Sequence, residues 1–138
     1  MRGRDFLDTN VLVYAHDLSD LGKQRIAREI VRKAVVGEFT VSTQVLAEFA
    51  STLLHKLQPP LSIDDVTLAL DGLGPIPLVL PDGDMVRRAV EARAAYGLHF
   101  YDGMIVAAAE RAGSEKIWSE DLNAGQKYFG VTVVNPFR

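Results

Sequence analysis

Four acidic residues stand where folding alone gives them little reason to be, and their types suggest one chemistry. In FLDTNVLVYAHD, the polar triplet Asp8, Thr9 and Asn10 interrupts an apolar run from Phe6 to Ala15. An Asx-type turn, bonding nearby backbone N–H groups, accounts for Asp8 as well as a functional role does. Glu48, in VSTQVLAEF, falls beyond the first turn of a predicted helix and has no Ser or Thr three residues before it, so neither the macrodipole nor a capping box explains it. At about 100° per residue it shares a stripe with Thr52 and His55 beside the apolar face, and alone it reads as a solvated boundary residue. Asp102, in HFYDGMIVAAAE, opens the most apolar helix of the chain. Capping explains it, yet a carboxylate on a buried helix needs a partner. Asp121, in WSEDLNAG, follows a predicted strand, where a turn aspartate is the plain explanation. Its neighbour Glu120 is expected to point away from any shared site.

Each acid has a bland account, but the four lie on four elements that a parallel sheet could bring to one rim. Carboxylates gathered there would resist ionising together unless a cation neutralised them. Oxygen ligands in a chain without cysteine and with three histidines suit Mg²⁺ or Mn²⁺. Such ions activate water and stabilise in-line displacement at phosphorus, often as a pair ~4 Å apart. The expected chemistry is phosphodiester hydrolysis.

The elements that must position these residues follow from periodicity and punctuation. A short buried strand over 5 to 8, with the apolar run resuming at Val11 to Tyr14, delivers Asp8 to its end. A helix spans Gly22 to Val36 with Asp20 as cap and Gly37 as stop. A strand over Phe39 to Ser42 leads into a helix from Thr43 to about Leu57, halted by Pro59 and Pro60. Ser62 and Asp65 resemble a capping box for a short helix to Gly72. Pro75 to Leu80 reads as a strand, Asp82 to Gly97 as a helix, and Tyr101 to Gly113 as a helix apolar on every side and therefore buried. Lys116 to Ser119 and Val131 to Val134 are the last strands. Alternating strands and helices predict a parallel sheet covered on both faces with right-handed crossovers, in which ligands bind beyond the carboxyl ends of the strands.

Taken in order and at their spacing, DTNVLVYAHD, VSTQVLAEF, FYDGMIVAAA, WSEDLNAGQ and the closing VVNPF resemble a PIN-domain ribonuclease over nearly the whole chain. The chain's size and its SEDLNAGQ segment resemble a VapC-type toxin of a toxin–antitoxin pair. The resemblance implies a single domain over residues 1–138, with a PIN-like three-layer α/β/α fold and a central, mostly parallel sheet of four to five strands. It implies catalytic, metal-binding acids at Asp8, Glu48, Asp102 and Asp121, with Thr9 and Asn10 supporting the first and Ser119 and Asn123 the last. It also implies Mg²⁺ (or Mn²⁺) as cofactor, an RNA substrate, a homodimer and a cognate VapB-type antitoxin that blocks the site. Many relatives carry a second Asp where this chain has Asn123, so the number of ions stays open and Asp121 is the least secure ligand.

Composition sets the outer bounds. The 138 residues suit one domain with a real core. Fifteen Lys and Arg against eighteen Asp and Glu give a net charge of −3, unlike the usual basic nucleic-acid binder. The absence of cysteine excludes disulfides and thiolate zinc sites. The opening MRGR does not begin a signal peptide, because Asp8 and Asn10 break the stretch that would have to be apolar, and no run approaches the ~20 apolar residues that span a bilayer. A soluble, cytoplasmic protein is expected. No GxxxxGK[ST] or GxGxxG stretch is present, which argues against an NTPase or dinucleotide enzyme. Arg25, Arg28 and Arg32 share a helix face whose plainer reading is a solvated one. His16, His55 and His99 receive no catalytic role, and Tyr14 and Tyr101 are the aromatics placed beside the acids. Two other readings remain: a catalytically inactive PIN-like protein- or RNA-binding module, and a phosphoryl-transfer enzyme with Asp8 as nucleophile, although LDTN lacks the second Asp common in such hydrolases.

Overall fold

Phe6 and Leu7 are wholly buried, as a strand covered on both faces requires. The structure, a computed structural model, describes residues 3–138. Among these the chain order is β1 (Asp5–Leu7), α1 (Thr9–Tyr14), α2 (Leu21–Val35), β2 (Phe39–Ser42), α3 (Thr43–His55), α4 (Ile63–Leu73), β3 (Leu78–Val79), α5 (Gly83–Tyr96), α6 (Phe100–Arg111), β4 (Lys116–Trp118), β5 (Lys127–Tyr128) and β6 (Val131–Val134). One sheet runs β3-β2-β1-β4-β6-β5, parallel throughout except for β5 against β6. It is the middle layer of a three-layer α/β/α fold, as expected. No helix among the described residues is long and apolar enough to cross a membrane.

Sheet order decides where a ligand can bind. From β1 the chain crosses to β2 on one side, whereas β4 lies on the other, with Phe6 opposite Ile117 and Leu7 opposite Trp118. Beyond the carboxyl ends of β1 and β4 the crossovers part, and a crevice opens at this switch point. The Asp8 N–H donates to the Trp118 carbonyl at 3.0 Å and the Ser119 N–H to that of Val134 at 2.9 Å. The residues that follow β1 and β4 are therefore fixed beside each other.

Three expectations change in detail. The run from Val11 to Tyr14 does not extend the first strand but forms α1, with Asp8 as its N-cap accepting from the Thr9 N–H. The strand predicted over 75 to 80 contracts to Leu78–Val79 at the sheet edge, because Pro75 and Pro77 have no N–H to give the ladder. The sheet has six strands rather than four to five. The addition is β5, joined to β6 through Phe129 and Gly130, both at positive φ (50° and 85°), the signature of a two-residue type I′ hairpin. Phe129 adopts this unusual conformation with the Arg88 guanidinium 3.5 Å from its ring centroid and its N–H donated to the Tyr96 hydroxyl at 3.0 Å.

Helix α6 is buried along Gly103 to Ala109, as its all-round apolar sequence requires. It packs closely against α5: a Cβ on Gly103 would lie 2.9 Å from the Ala89 carbonyl oxygen and 3.2 Å from its Cα. Only glycine fits without a backbone shift.

Candidate active site

A cleft of about 610 Å³ opens at the switch point between α1 and α3, and all four predicted acids line it. Asp8 arrives from the end of β1, Glu48 from the second turn of α3, Asp102 from the first turn of α6, and Asp121 from the loop after β4. Ser42 ends β2 and also caps α3, its hydroxyl accepting from the Val45 N–H at 3.3 Å. No loop intervenes, so the sheet itself sets the direction of Glu48.

Hydrogen bonds fix the acids individually. The Thr9 N–H donates to Asp8 Oδ1 at 2.7 Å, and the Ser119 hydroxyl to Asp8 Oδ2 at 2.7 Å. The Thr9 hydroxyl donates to Glu48 Oε1 at 2.8 Å. Asn10 ties α1 to the loop after β4: its Oδ1 accepts from the Glu120 N–H at 3.0 Å, which turns Nδ2 toward Asp8 Oδ2 at 3.3 Å and Asp121 Oδ2 at 3.2 Å. Ser119 is wholly buried, and its oxygen also accepts from the N–H groups of Asp121 (3.1 Å) and Leu122 (3.3 Å). Ser119→Ala therefore leaves several buried groups without a partner and should cost about 1–3 kcal/mol in a urea unfolding experiment.

Charge in the cleft is poorly compensated. Among the described residues none of the four carboxylates forms an ion pair. Burial pushes the Asp8 carboxyl up to about 6, opposed by its bonds to Ser119 and Thr9 and reinforced by the charges of Asp121 and Asp102. Burial also raises the Asp102 carboxyl; the charge of His99 opposes this, and those of Glu48 and Asp121 add to it. These groups feel one another as like charges sharing a site do.

The PIN domain family profile matches residues 6–129. This chain belongs to the PIN domain family. PIN domains are generally nucleases. Two solved structures share the fold of this PIN domain. One is a toxin–antitoxin complex from Klebsiella pneumoniae (TM-score 0.70, 18% identity, covering 96% of this chain and 97% of that one). The other is FitAB bound to an IR36 DNA fragment (TM-score 0.69, 16% identity, covering 96% and 95%). No curated protein sequence matches the chain.

PIN nucleases generally use divalent metal ions, and the donor set here can be tested for fit. It offers carboxylate and hydroxyl oxygens and no sulfur, as hard cations require. Burial, with the neighbouring acids adding to it, raises the carboxyls of Asp8 and Asp102, and a bound cation would oppose that rise. Yet no group of three His, Cys, Asp or Glu among the described residues converges closely enough to cage an ion. An ion that keeps several of its waters needs only one or two carboxylates and no all-protein cage. The Asn10 amide links Asp8 to Asp121, and Thr9 links Asp8 to Glu48.

The other predicted residues divide. Thr9, Asn10 and Ser119 hold the acids as described, whereas Asn123 does not reach the cleft: it is exposed, and its amide donates to Gln126 Oε1 at 3.2 Å within the loop before β5. Of the stripe expected on α3, Thr52 lines the cleft and His55 does not. Glu120 points away from the acids, as expected, and for a reason the sequence hides: it accepts from the Tyr14 hydroxyl and, at 2.5 Å, from Lys23. Burial works against its ionisation, but these two donors outweigh it and hold the carboxyl below its usual range. Tyr14 lines the cleft, its ring fixed edge-on against Phe137 at 4.9 Å. Sequence reasoning missed Lys56, which lines the cleft four residues beyond Thr52.

Proposed function

We propose that this PIN domain is a metal-dependent endoribonuclease, the VapC-type toxin of a toxin–antitoxin pair. The observation that carries the reading is the set of four carboxylates from four elements facing one cleft without an ion pair among the described residues, two of them with raised proton affinity. Asp8, Glu48, Asp102 and Asp121 would share Mg²⁺ or Mn²⁺, one or two of them ligating an ion directly and the others acting through its waters. When bound, such an ion activates water and stabilises the negative oxygens of an in-line phosphoryl displacement.

The protein's own part is to pre-set the carboxylates. Thr9 orients Glu48, Ser119 orients Asp8, and the Asn10 amide keeps Asp8 and Asp121 at a fixed separation. Asp8 is 7% exposed, with both oxygens engaged, which suits a ligand better than a nucleophile that substrate must reach. A VapB-type antitoxin and a homodimer belong to the same reading. One structural neighbour is a toxin–antitoxin complex, which supports the antitoxin. Exposed Leu78, Leu80, Val86 and Val90 offer apolar surface that a second copy would cover.

The test is cleavage of labelled RNA by the purified full chain. Mg²⁺ or Mn²⁺ should support cutting and chelator should stop it. Calorimetry that detects no metal uptake, together with RNA left intact, would replace the nuclease with a silent binding module.

A further inference from the structure

The cleft extends well past the acids, with α3 as its long wall. At the start of α3, Gln44 donates to the Tyr101 carbonyl at 3.0 Å and lies 3.4 Å from Glu48 Oε2. Beyond Glu48, the same helix contributes Ser51, Thr52 and, at its C-cap, Lys56. At 1.5 Å per residue Lys56 lies about 12 Å past Glu48, and Gln44 about 6 Å before it. The Tyr101 backbone, Glu48 and Lys56 are therefore met in that order along α3; Tyr101 itself is not part of the cleft lining but directly precedes Asp102, which is.

Two side chains suit a nucleic-acid strand, Lys56 within the cleft lining and Tyr101 outside it, next to Asp102. Lys56 is the only cationic residue among those lining the cleft, is exposed, and its ammonium has no partner among the described residues. Lys23, which reaches the cleft-lining Tyr14, is already committed to Glu120. Tyr101 is 58% exposed, yet its ring is held, stacked on His99 (5.9 Å, 30° between planes) and edge-on to Phe100 (5.2 Å). A fixed, exposed aromatic presents a face to an unpaired base, and a base in a duplex cannot use it.

We propose that Lys56 and Tyr101 anchor a single-stranded RNA segment on opposite sides of the acids, Lys56 through a backbone phosphate and Tyr101 by stacking on a base. This rests on the nuclease reading only for the phosphate between them. The span from Gln44 to Lys56, about 18 Å along the axis, corresponds to on the order of three to five nucleotides.

The test is fluorescence anisotropy with a fluorescein-labelled random-sequence RNA octamer, using the full chain carrying Asp8→Asn in Mg²⁺ so that the probe stays intact, with circular dichroism to check the fold. Adding Lys56→Ala should weaken binding about fivefold and flatten the slope of log affinity against log salt by about 0.7. Adding Tyr101→Ala should weaken it about tenfold, with Tyr101→Trp retaining affinity. A blunt 12-base-pair RNA duplex should bind more weakly than the octamer. Unchanged affinity in both alanine variants, equal binding of duplex and octamer, or no RNA binding at all would overturn the proposal. Cleavage, assayed separately on the wild type, keeps the two readings apart: a chain that binds as described and never cuts refutes only the nuclease, and one that cuts while both alanine variants bind normally refutes only the anchors.

Discussion

On the proposed nuclease reading, Asp8→Asn should lower RNA cleavage by a factor on the order of 10³ or more. The substitution keeps the side chain's shape and the acceptor for the Thr9 N–H, and discards the charge on which ion binding depends. It also changes the metal-free protein in a way that separates electrostatics from packing. The Asp8 carboxyl rises from 3.8 to about 6 on folding, so the native state binds its proton more tightly than the unfolded chain. The sign follows: stability is greatest below the unfolded value, falls as pH rises between the two values, and is flat above the folded one. Integrated over that window, ionised Asp8 costs the metal-free fold about 3 kcal/mol. Chelator-treated wild type should therefore lose about 2–3 kcal/mol between pH 4 and pH 7 relative to the variant, measured by urea denaturation at each pH, and Mg²⁺ should restore much of it at pH 7. The net difference at neutral pH is smaller, because the variant's amide has no second oxygen to accept from the Ser119 hydroxyl. Identical pH profiles for the two proteins would mean that Asp8 is not held in an uncompensated site.

The second large effect comes from a residue with no functional group. Gly103→Ala improves helix propensity by about 1 kcal/mol, and in an exposed helix would stabilise. Here the added methyl meets the Ala89 backbone at 2.9 Å, so α5 and α6 must separate. The expected result is net destabilisation of about 1–3 kcal/mol by urea denaturation. Because Gly103 follows Asp102 directly, the same shift displaces a carboxylate of the cleft, and cleavage should fall by on the order of 10²-fold in single-turnover kinetics. A variant as stable and as active as wild type would show that the helices approach less closely than described.

The legible parts of this fold are those that local chemistry dictates. Asp20, Ser62 and Asp82 cap their helices as their sequence contexts predict, and Gly97 ends α5 in the left-handed conformation. The acids are recognisable because an α/β sheet puts strand ends and helix starts on one rim, so Asp8, Glu48, Asp102 and Asp121 need only the order of elements to be grouped. What fails to show depends on partners remote in sequence. Glu120 meets Lys23 across 97 positions, and nothing near either residue announces it. The β5–β6 hairpin turns on Phe129-Gly130 in place of the usual Asn-Gly, a conformation held in place by Arg88 and Tyr96 from α5. Proximity in sequence groups Asn123 with Asp121, but the loop commits its amide to Gln126. Lys56 escapes notice because a lysine after a helix normally reads as a solvated cap.

The seamless passage from β2 into α3 restricts chain length more tightly than residue identity. With Ser42 serving both elements, a single inserted residue between Ser42 and Thr43 would turn every later side chain of α3 by about 100° and swing Glu48 out of register with its three companions. Substitutions along α3 can accumulate so long as the count from the strand is kept. Length variation is instead expected around 57–62 and 73–77, where no cleft residue is measured from the sheet.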